Sequence, residues 1–368
     1  MKLIRTTEAE GAVLCHDITQ IVRGVTKDAR FRKGHVVTKE DIPVLLSLGK
    51  DQLYVWEKTE GMLHEDEAAE ILCAMCRGAY MERSQPKEGK IELTAAADGL
   101  FKVNNEALKA VNGMGQMMIA TRHGNVPVKA GDKLAGTRII PLVIEEKRME
   151  EARRRAMEIT GGSPILELKP FRKKKAAIVT TGNEVYYGRI EDTFSPVIRE
   201  KLAEYGAEVI GHEIWNDDDK KVTEAILRMI EKGAELVICT GGMSVDPDDR
   251  TPLAIKNTGA AIVSYGAPVL PGAMFLLAYY PVGEGQTCQT DKGRESQTDK
   301  GQTSRTVPIM GLPGCVMYAK RTIFDLVLSR VMADDPVTAE ELASLGQGGL
   351  CLNCPVCTYP ACGFGKGW

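Results

Sequence analysis

From residue 175 onward, continuous apolar runs alternate with stretches that have helical periodicity. Residues 176–181 and 236–240 are apolar runs, and they end at Gly182 and Gly241 respectively. Runs of this kind are typical of parallel strands that are buried on both faces of a sheet. Because strands alternate with helices, the sequence predicts an α/β fold with a mainly parallel sheet covered on both faces.

Local signals place the elements of this α/β segment. Ser195 followed by Pro196 predicts a helix start, and Gly206 predicts its end. A second helix is predicted from the apolar stripe Val222, Ile226, Met229 and Ile230, closed by Gly233. Further strands are predicted over 207–214, 261–264, 275–280 and 307–310, and a long final helix from about 315 to 331.

The chain has 368 residues and 43% hydrophobic content, which predicts two domains and an appendage. Residues 1–160 alternate short apolar stretches with glycine turns, which indicates a smaller β-rich α+β domain. Its acids at 65–67 predict a helix start, with Ala68, Ile71, Leu72, Met75 and Ala79 on one face. A charged linker helix over 145–156 and the break at 161–164 then lead to the α/β domain at 170–345 and a tail at 346–368.

One polar stretch interrupts the α/β pattern. The sequence TDKG at residue 290 begins again at residue 298, in a segment without aromatic residues. The composition predicts a disordered insertion over about 284–304, a surface loop rather than a repeated address motif.

Charge and hydropathy exclude several function classes. The net charge is -3 and the pI is about 6.1, so no global basic field favours nucleic acid. No run approaches the ~20 apolar residues of a membrane span, and the first residues lack the apolar stretch of a signal peptide. We therefore expect a cytoplasmic protein whose partner is a small molecule or another protein.

Three glycine-bearing loops follow predicted strands, at 180–185, 240–249 and 311–314. In an open parallel sheet, ligands bind beyond the carboxyl ends of the strands. Glycine allows close approach of the backbone, and helix N-termini present N–H groups to anions. The three loops together predict a phosphate-binding crevice.

Carboxylates accompany these loops. Asp246, Asp248 and Asp249 lie within four residues, and Glu184 and Asp192 follow the first strand. Acids beside a phosphate site usually need a hard cation such as Mg²⁺. In the alternative interpretation, Asp248 or Asp249 only caps the helix that begins near residue 251.

The ordered motifs TTGNEV, CTGGMSVDPDDRTP, GAPVLPGAMF and PIMGLPG, over about residues 173–335, resemble the molybdenum-cofactor biosynthesis domain. This domain is shared by molybdopterin adenylyltransferases, molybdopterin molybdotransferases and gephyrin. The resemblance implies a Rossmann-like three-layer sandwich that binds molybdopterin, or its adenylylated form, with Mg²⁺.

The resemblance also implies roles for individual residues. Asp249 matches the family's acidic residue ahead of the Thr-Pro pair and would act in catalysis or Mg²⁺ positioning, with Asp246 and Glu184 as the other catalytic candidates. The expected cofactor-binding residues are Thr181, Gly182, Asn183, Asp192, Ser195, Gly241, Gly242, Met243, Ser244, Gly311, Pro313 and Gly314.

Two positions depart from the family pattern. Asn183 stands where the family usually has aspartate, and Cys315-Val316 replaces the usual Asn-Pro. One hypothesis is therefore a transferase of molybdate or an adenylyl group, and the other is a non-catalytic carrier, insertion chaperone or sensor for a molybdoenzyme. A third is a nucleotide-processing relative of the competence-damage family, for which no amidase half is recognisable. We expect a homo-oligomer in each case.

The tail has the spacing C-x2-C-x2-C-x4-C at Cys351, Cys354, Cys357 and Cys362. Four thiolates at this spacing predict a zinc or iron-sulfur site. The alternatives are redox or transfer thiols and a disordered end. Cys73 and Cys76 also form C-x2-C, but on a predicted helix, where we interpret them as core residues.

Overall fold

The computed structural model describes residues 2–22, 26–55, 60–244, 246–247, 249–283 and 305–367. The predicted insertion at 284–304 lies outside these residues. The chain divides into two compact units. Unit 1 comprises Met1–Ala97, Val103–Arg122 and Ala130–Leu168, and unit 2 comprises Asp98–Lys102, His123–Lys129 and Lys169–Trp368.

Up to residue 170 the elements are short. The strands are β1 Lys2–Arg5, β2 Ile18–Val22, β3 Thr26–Phe31, β4 Gln52–Val55, β5 Met62–His64, β6 Met81–Arg83, β7 Lys90–Ala95, β8 Gly99–Val103, β9 Met117–Thr121, β10 Val126–Val128, β11 Lys133–Ile139, β12 Val143–Glu145 and β13 Leu166–Pro170, and the helices are α1 Asp41–Ser47, α2 Glu65–Cys76, α3 Asn105–Asn112 and α4 Glu146–Thr160. Within unit 1, four antiparallel strands pair in the order β6-β7-β11-β9.

The two helices predicted in unit 1 are present. Helix α2 begins with the three acids, and a capping box involving His64 and Glu67 fixes its start. Ala79 was wrongly placed on the buried face, because α2 ends at Cys76 and Ala79 is exposed. Cys73 and Cys76 are buried, which confirms their interpretation as core residues, and burial raises the pKa of both thiols.

Unit 2 follows the predicted alternation of strands and helices. Its elements from residue 171 onward are β14 Lys175–Thr181, α5 Asn183–Tyr186, α6 Phe194–Ala203, β15 Glu208–Trp215, α7 Asp219–Glu231, β16 Leu236–Thr240, α8 Thr251–Asn257, β17 Ala261–Tyr265, β18 Leu276–Val282, β19 Arg305–Leu312, α9 Ile323–Met332 and α10 Ala339–Ser344. These elements make a mixed α/β structure, as the sequence predicts.

Six strands form one sheet in the order β15-β14-β16-β19-β18-β17. Strands β15, β14, β16 and β19 are parallel, and β18 runs antiparallel to both of its neighbours. The prediction of a mainly parallel sheet is confirmed. Strands β14, β16 and β19 therefore end at the same edge, where β18 begins.

Side chains of β14 alternate between two hydrophobic clusters because successive strand residues point to opposite faces. Ala176 and Ile178 pack in a cluster with α6, α9 and α10, whereas Ala177 and Val179 pack in one with α7 and α8. This double burial explains why β14 reads as a continuous apolar run.

Two predicted helix boundaries are wrong. Helix α6 starts at Phe194, and its first amides are capped by Asp192 Oδ1, which accepts from the N–H groups of Phe194 (2.8 Å) and Ser195 (3.1 Å). Ser195 therefore lies inside the helix and does not cap it.

The long final helix is also interrupted. A 3-10 turn at Gly314–Met317 precedes α9, which starts at Ile323. The interruption has a local cause, because Thr322 and Asp325 form a capping box that starts a new helix at this point.

Among the helices of the described residues, none is long and apolar enough to cross a membrane.

Candidate functional site

A cavity of about 580 Å³ lies at the edge of the unit 2 sheet where the parallel strands end. The segments that line it follow β14, β16 and β19 and precede β18. Its lining residues are Thr180, Thr181, Glu184, Val185, Ile190, Glu191, Asp192, Thr193, Phe194, Thr240, Gly241, Gly242, Met243, Ser244, Asp249, Leu270, Pro271, Gly272, Ala273, Met274, Leu312, Pro313, Gly314, Cys315, Met317 and Tyr318. The three predicted loops therefore meet at one cavity.

The loop after β16 can adopt its path only with glycine. Gly241 has a φ of 85°, and a Cβ placed there would lie 2.0 Å from the carbonyl oxygen of Thr181. Gly242 has a φ of 54°, and its Cβ would lie 2.9 Å from Thr251 Oγ1. The missing side chains let this loop pack directly against the end of β14.

Hydrogen bonds fix this close packing. Thr251 Oγ1 donates to the Gly241 carbonyl (2.8 Å) and lies 2.9 Å from Thr181 Oγ1. The Tyr265 hydroxyl donates to the Met243 carbonyl (2.9 Å). The N–H groups of Gly242, Met243 and Ser244 donate to no acceptor in the described part of the chain. Three successive amides that have no acceptor among the residues the structure describes can receive an anion.

The cavity is also lined by hydrogen-bond acceptors that carry negative charge. Glu184, Glu191, Asp192 and Asp249 contribute carboxylates, and no lysine or arginine occurs among the described lining residues. Burial favours a higher pKa for Asp192, but the hydrogen bonds from Ser195 and Phe194 outweigh it and lower the pKa. Asp192 is therefore ionised at neutral pH.

The cavity floor is a set of threonines on adjacent strands. Thr240 Oγ1 donates to Thr180 Oγ1 (3.1 Å), and Thr180 Oγ1 lies 3.0 Å from His212 Nε2 on β15. Burial lowers the pKa of His212, so that its imidazole is neutral at pH 7. A polar network thus joins three strands below the ligand cavity.

Most of the predicted site residues line the cavity. They are Thr181, Glu184, Asp192, Gly241, Gly242, Met243, Ser244, Asp249, Pro313 and Gly314. The predicted residues that are not among those lining it are Gly182, Asn183, Ser195, Asp246 and Gly311. Gly311 instead makes room for Met243, whose sulfur would lie 2.6 Å from a Cβ at that position.

One wall of the cavity is formed by Leu270–Met274, which lie within the motif GAPVLPGAMF but were not among the predicted cofactor-binding residues. Gly272 has a φ of 127°, and its Cβ would lie 2.4 Å from Ile323 Cγ2. The Leu270-Pro271-Gly272 sequence was the available signal, because it indicates a turn ahead of a strand.

The acidic loop before α8 forms a local turn. The Asp246 amide donates to Asp249 Oδ2 (3.2 Å), and the Asp249 amide donates to the Asp246 carbonyl (2.9 Å). No side chain caps α8 among the described residues, and Asp248 lies outside them. The interpretation of Asp249 as a helix cap is therefore wrong. The Mg²⁺ role of Asp249 stays a prediction.

The cysteine-rich tail is folded onto unit 2. The Leu270 amide donates to the Gly349 carbonyl (2.8 Å), and the Cys351 amide donates to the Leu270 carbonyl (2.8 Å). Phe364 packs in the same cluster as α9, and only 5% of it is exposed. The alternative of a disordered end is therefore wrong.

All four tail cysteines are free thiols and line a second cavity of about 410 Å³. No group of three or more His, Cys, Asp or Glu side chains in the described ranges is arranged to hold a metal ion. The structure therefore shows no preformed ligand set in this tail.

The Phe364→Ala substitution is expected to release the tail. Truncating a buried phenylalanine costs about 3 to 5 kcal/mol, and this loss falls on the packing of the tail against α9. The half-buried thiols of Cys351 and Cys362 should then react with a thiol reagent as fast as the exposed Cys354 and Cys357. Mass spectrometry of the labelled protein measures the rate at which each of the four cysteines is labelled. The control is Leu352→Ala, because Leu352 is 80% exposed, and unchanged labelling in Phe364→Ala would contradict the anchoring role.

The sheet and its cavity define an α/β domain with a cavity at the carboxyl ends of its parallel strands. Residues 177–334 match the family described as a probable molybdopterin binding domain. The resemblance predicted from the sequence is thereby confirmed. Residues 3–57 match a different family, described as a domain of unknown function.

Similar proteins match only part of the chain. A Bacillus cytotoxicus protein described as competence-damage inducible is 39% identical over 88 residues, which is 24% of this chain and 20% of that protein. The counterpart from Bacillus velezensis is 34% identical over 85 residues, or 23% and 20%. The chain therefore spans about a fifth of the length of these relatives. A solved structure described as a molybdenum cofactor biosynthesis protein, from Corynebacterium diphtheriae, is 17% identical, covers 47% of this chain and 99% of its own, and has a TM-score of 0.32.

Proposed function

We propose that unit 2 binds molybdopterin in the 580 Å³ cavity and that the protein acts in molybdenum cofactor biosynthesis. One observation carries the proposal. The three successive amides of Gly242, Met243 and Ser244 line the cavity and have no acceptor among the described residues, which suits the phosphate of this ligand. The family of residues 177–334 supports the choice of molybdopterin over other phosphorylated ligands.

The cavity also suits the remainder of the molecule. Small-molecule sites typically measure about 300 to 1,000 Å³ and combine apolar walls with few polar groups. Here Met243, Met274 and Leu312 provide apolar surface for a planar ring, and Asp192 provides an ionised acceptor for ring N–H groups. The cavity therefore offers both amide donors and carboxylate acceptors to a ligand.

The carboxylates near the amides indicate a cation. A phosphate beside Asp249 and Glu184 would meet like charge, and Mg²⁺ would offset this repulsion when bound. Asp249 and Glu184 are the residues that would hold it, since both carboxylates line the cavity.

A protein that binds this pterin could have either of two roles. In the first, the protein transfers molybdate or an adenylyl group, and its own residues bind, orient and shield the reactants. In the second, it is a carrier, insertion chaperone or sensor for a molybdoenzyme. The second is favoured by Asn183, which stands where the family usually has aspartate and is not among the residues that line the cavity.

Direct titration tests the binding proposal. The full chain, purified anaerobically with Mg²⁺, should bind molybdopterin in a saturable manner, followed by pterin fluorescence. The same chain should bind a dephosphorylated pterin much more weakly, because the amides of Gly242–Ser244 then lack their ligand. Equal affinity for the two pterins, or no binding to either, would exclude the proposal.

The Asp249→Asn substitution separates binding from transfer. Molybdopterin affinity should change less than about tenfold, whereas transfer should fall about 10²- to 10³-fold, because a group that organises charge at the reacting centre is lost. Complementation of a strain lacking the molybdotransferase measures transfer in the cell. Asp246→Asn is the matched control, because Asp246 belongs to the same loop but does not line the cavity. If the unsubstituted chain binds pterin and fails to complement, it does not transfer molybdate, and this result would favour the carrier, insertion chaperone or sensor role.

Several finer predictions belong to this proposal. They are the Rossmann-like three-layer arrangement, the division at residues 160, 170 and 345, the zinc or iron-sulfur site at Cys351, Cys354, Cys357 and Cys362, the homo-oligomer and the molybdoenzyme partner. Metal and sulfide analysis of anaerobically purified protein tests the cysteine site.

A further inference from the structure

His212 is a partly buried histidine beside the cavity that the proposed function does not use. It lies on β15, its side chain is 19% exposed, and it is not among the residues that line the cavity. Its Nε2 atom lies 3.0 Å from Thr180 Oγ1 and 3.4 Å from Asp192 Oδ2. Both of these partners line the cavity.

In the hydrogen bonds around the Thr180 hydroxyl, the donor and the acceptor of each bond can be assigned. Its hydroxyl accepts from Thr240 Oγ1 (3.1 Å) and is within donor distance of Asp192 Oδ2 (3.4 Å). A neutral imidazole with its proton on Nε2 completes this set by donating to Thr180 Oγ1. The Thr240 hydroxyl, the Thr180 hydroxyl and the His212 Nε2–H group then each donate one hydrogen bond. Asp192 Oδ2 can still accept a further hydrogen bond from a ligand.

Protonation changes this arrangement. A charged imidazole pairs with a nearby carboxylate more strongly than a neutral imidazole bonds to a hydroxyl. Asp192 Oδ1 is already occupied by the amides of Phe194 and Ser195, so that Oδ2 is the atom available for this pairing. The charged groups that act on His212 are Asp192, from the segment before α6, and Arg199, from α6.

We propose that His212 is a positioning residue for the ligand cavity: its neutral imidazole holds the Thr180 hydroxyl and leaves Asp192 free to accept from N–H groups of the bound ligand. When the imidazole gains a proton, the Asp192 carboxylate is diverted into an ion pair and ligand affinity falls. The identity of the ligand in this inference rests on the proposed function. The coupling between His212 and Asp192 rests on the hydrogen bonds described above.

The substitution His212→Gln tests the proposal because glutamine keeps an N–H donor but does not titrate. Molybdopterin affinity of the unsubstituted protein should fall about tenfold between about pH 7.5 and pH 5, below the ordinary histidine pKa of about 6.5. In His212→Gln the molybdopterin affinity at pH 5 should stay within about twofold of its value at pH 7.5, once the changes that occur in both proteins have been subtracted. Any pH dependence that does not involve His212, including that of the ligand phosphate, is common to both proteins and cancels in the comparison. His123→Gln is the control and should behave like the unsubstituted protein.

A second measurement does not depend on the ligand. The amide protons of Phe194 and Ser195 bond to Asp192 Oδ1, and their NMR shifts report the state of that carboxylate. Both signals should show an inflection at mildly acidic pH in the unsubstituted protein and lose it in His212→Gln. If the two proteins titrate alike, the role of His212 is refuted even where pterin binding succeeds. If pterin does not bind at any pH but the inflection depends on His212, only the proposed function fails.

Discussion

Replacing Asp335 by asparagine is expected to lower the free energy of unfolding by about 3 to 5 kcal/mol, because it removes a buried carboxylate that pairs with three cations, of which Arg330 is itself buried. Asp335 is only 4% exposed and accepts from three side chains of unit 2. These are Lys102 Nζ (2.7 Å), Lys169 Nζ (2.8 Å) and Arg330 Nε (2.6 Å). Asparagine keeps the shape but removes the charge and one acceptor. Denaturant unfolding followed by circular dichroism measures the loss.

The neighbouring residue provides a matched control. Asp334 pairs with Lys174 and Arg172, but its side chain is 43% exposed. Solvent reaches the Asp334 carboxylate and can take its place beside Lys174, whose side chain is 11% exposed, so Asp334→Asn should cost clearly less stability than Asp335→Asn. Equal losses in the two variants would show that the burial of Asp335 is not the cause.

The effect of Asp335 also has a defined pH dependence. Burial favours a higher pKa, but the bonds from Lys102, Lys169 and Arg330 outweigh it and the pKa of Asp335 is lowered. Its contribution is therefore fully present above the unfolded aspartate pKa of about 3.9 and is lost as the pH falls further. The stability difference between Asp335→Asn and the unsubstituted protein should accordingly shrink in acid.

The α/β segment could be predicted because its strands are buried on both faces. Double burial makes β14 and β16 apolar throughout, and glycines mark the point where each strand ends. Parallel strands then bring their loops to one edge without further information. The missed wall at Leu270–Met274 has a physical reason. It precedes β18, an antiparallel strand, whose beginning lies at the edge where the parallel strands end.

Other features depended on contacts that the sequence does not reveal. Asp192 and Ser195 are both plausible caps by residue type, and only the structure shows that the Asp192 carboxylate accepts from the first amides of α6. His212 carried no sequence signal, since it lies within a strand and reaches Thr180 only through strand pairing. The sequence also does not reveal how the tail is anchored, because the anchoring depends on the packing of Phe364 against α9.

Gly241→Ala is expected to abolish ligand binding at the cavity. The new methyl group would lie 2.0 Å from the Thr181 carbonyl oxygen, and this neighbour is backbone that cannot rotate away. The positive φ of 85° adds strain for any residue with a side chain. The loop must therefore move away from β14, and the amides of Gly242–Ser244 move with it. Because affinity depends on these amides, we expect a loss of at least about 100-fold, which corresponds to roughly 3 kcal/mol.

The control for this variant is Gly283→Ala. Gly283 is also in unit 2, but a Cβ added there would meet no heavy atom within 4 Å, and its φ is not positive. It should leave molybdopterin affinity and the unfolding midpoint unchanged. Both variants are compared by pterin fluorescence titration after circular dichroism has shown that they are folded. A folded Gly241→Ala protein with normal affinity would mean that the loop after β16 is not the phosphate site.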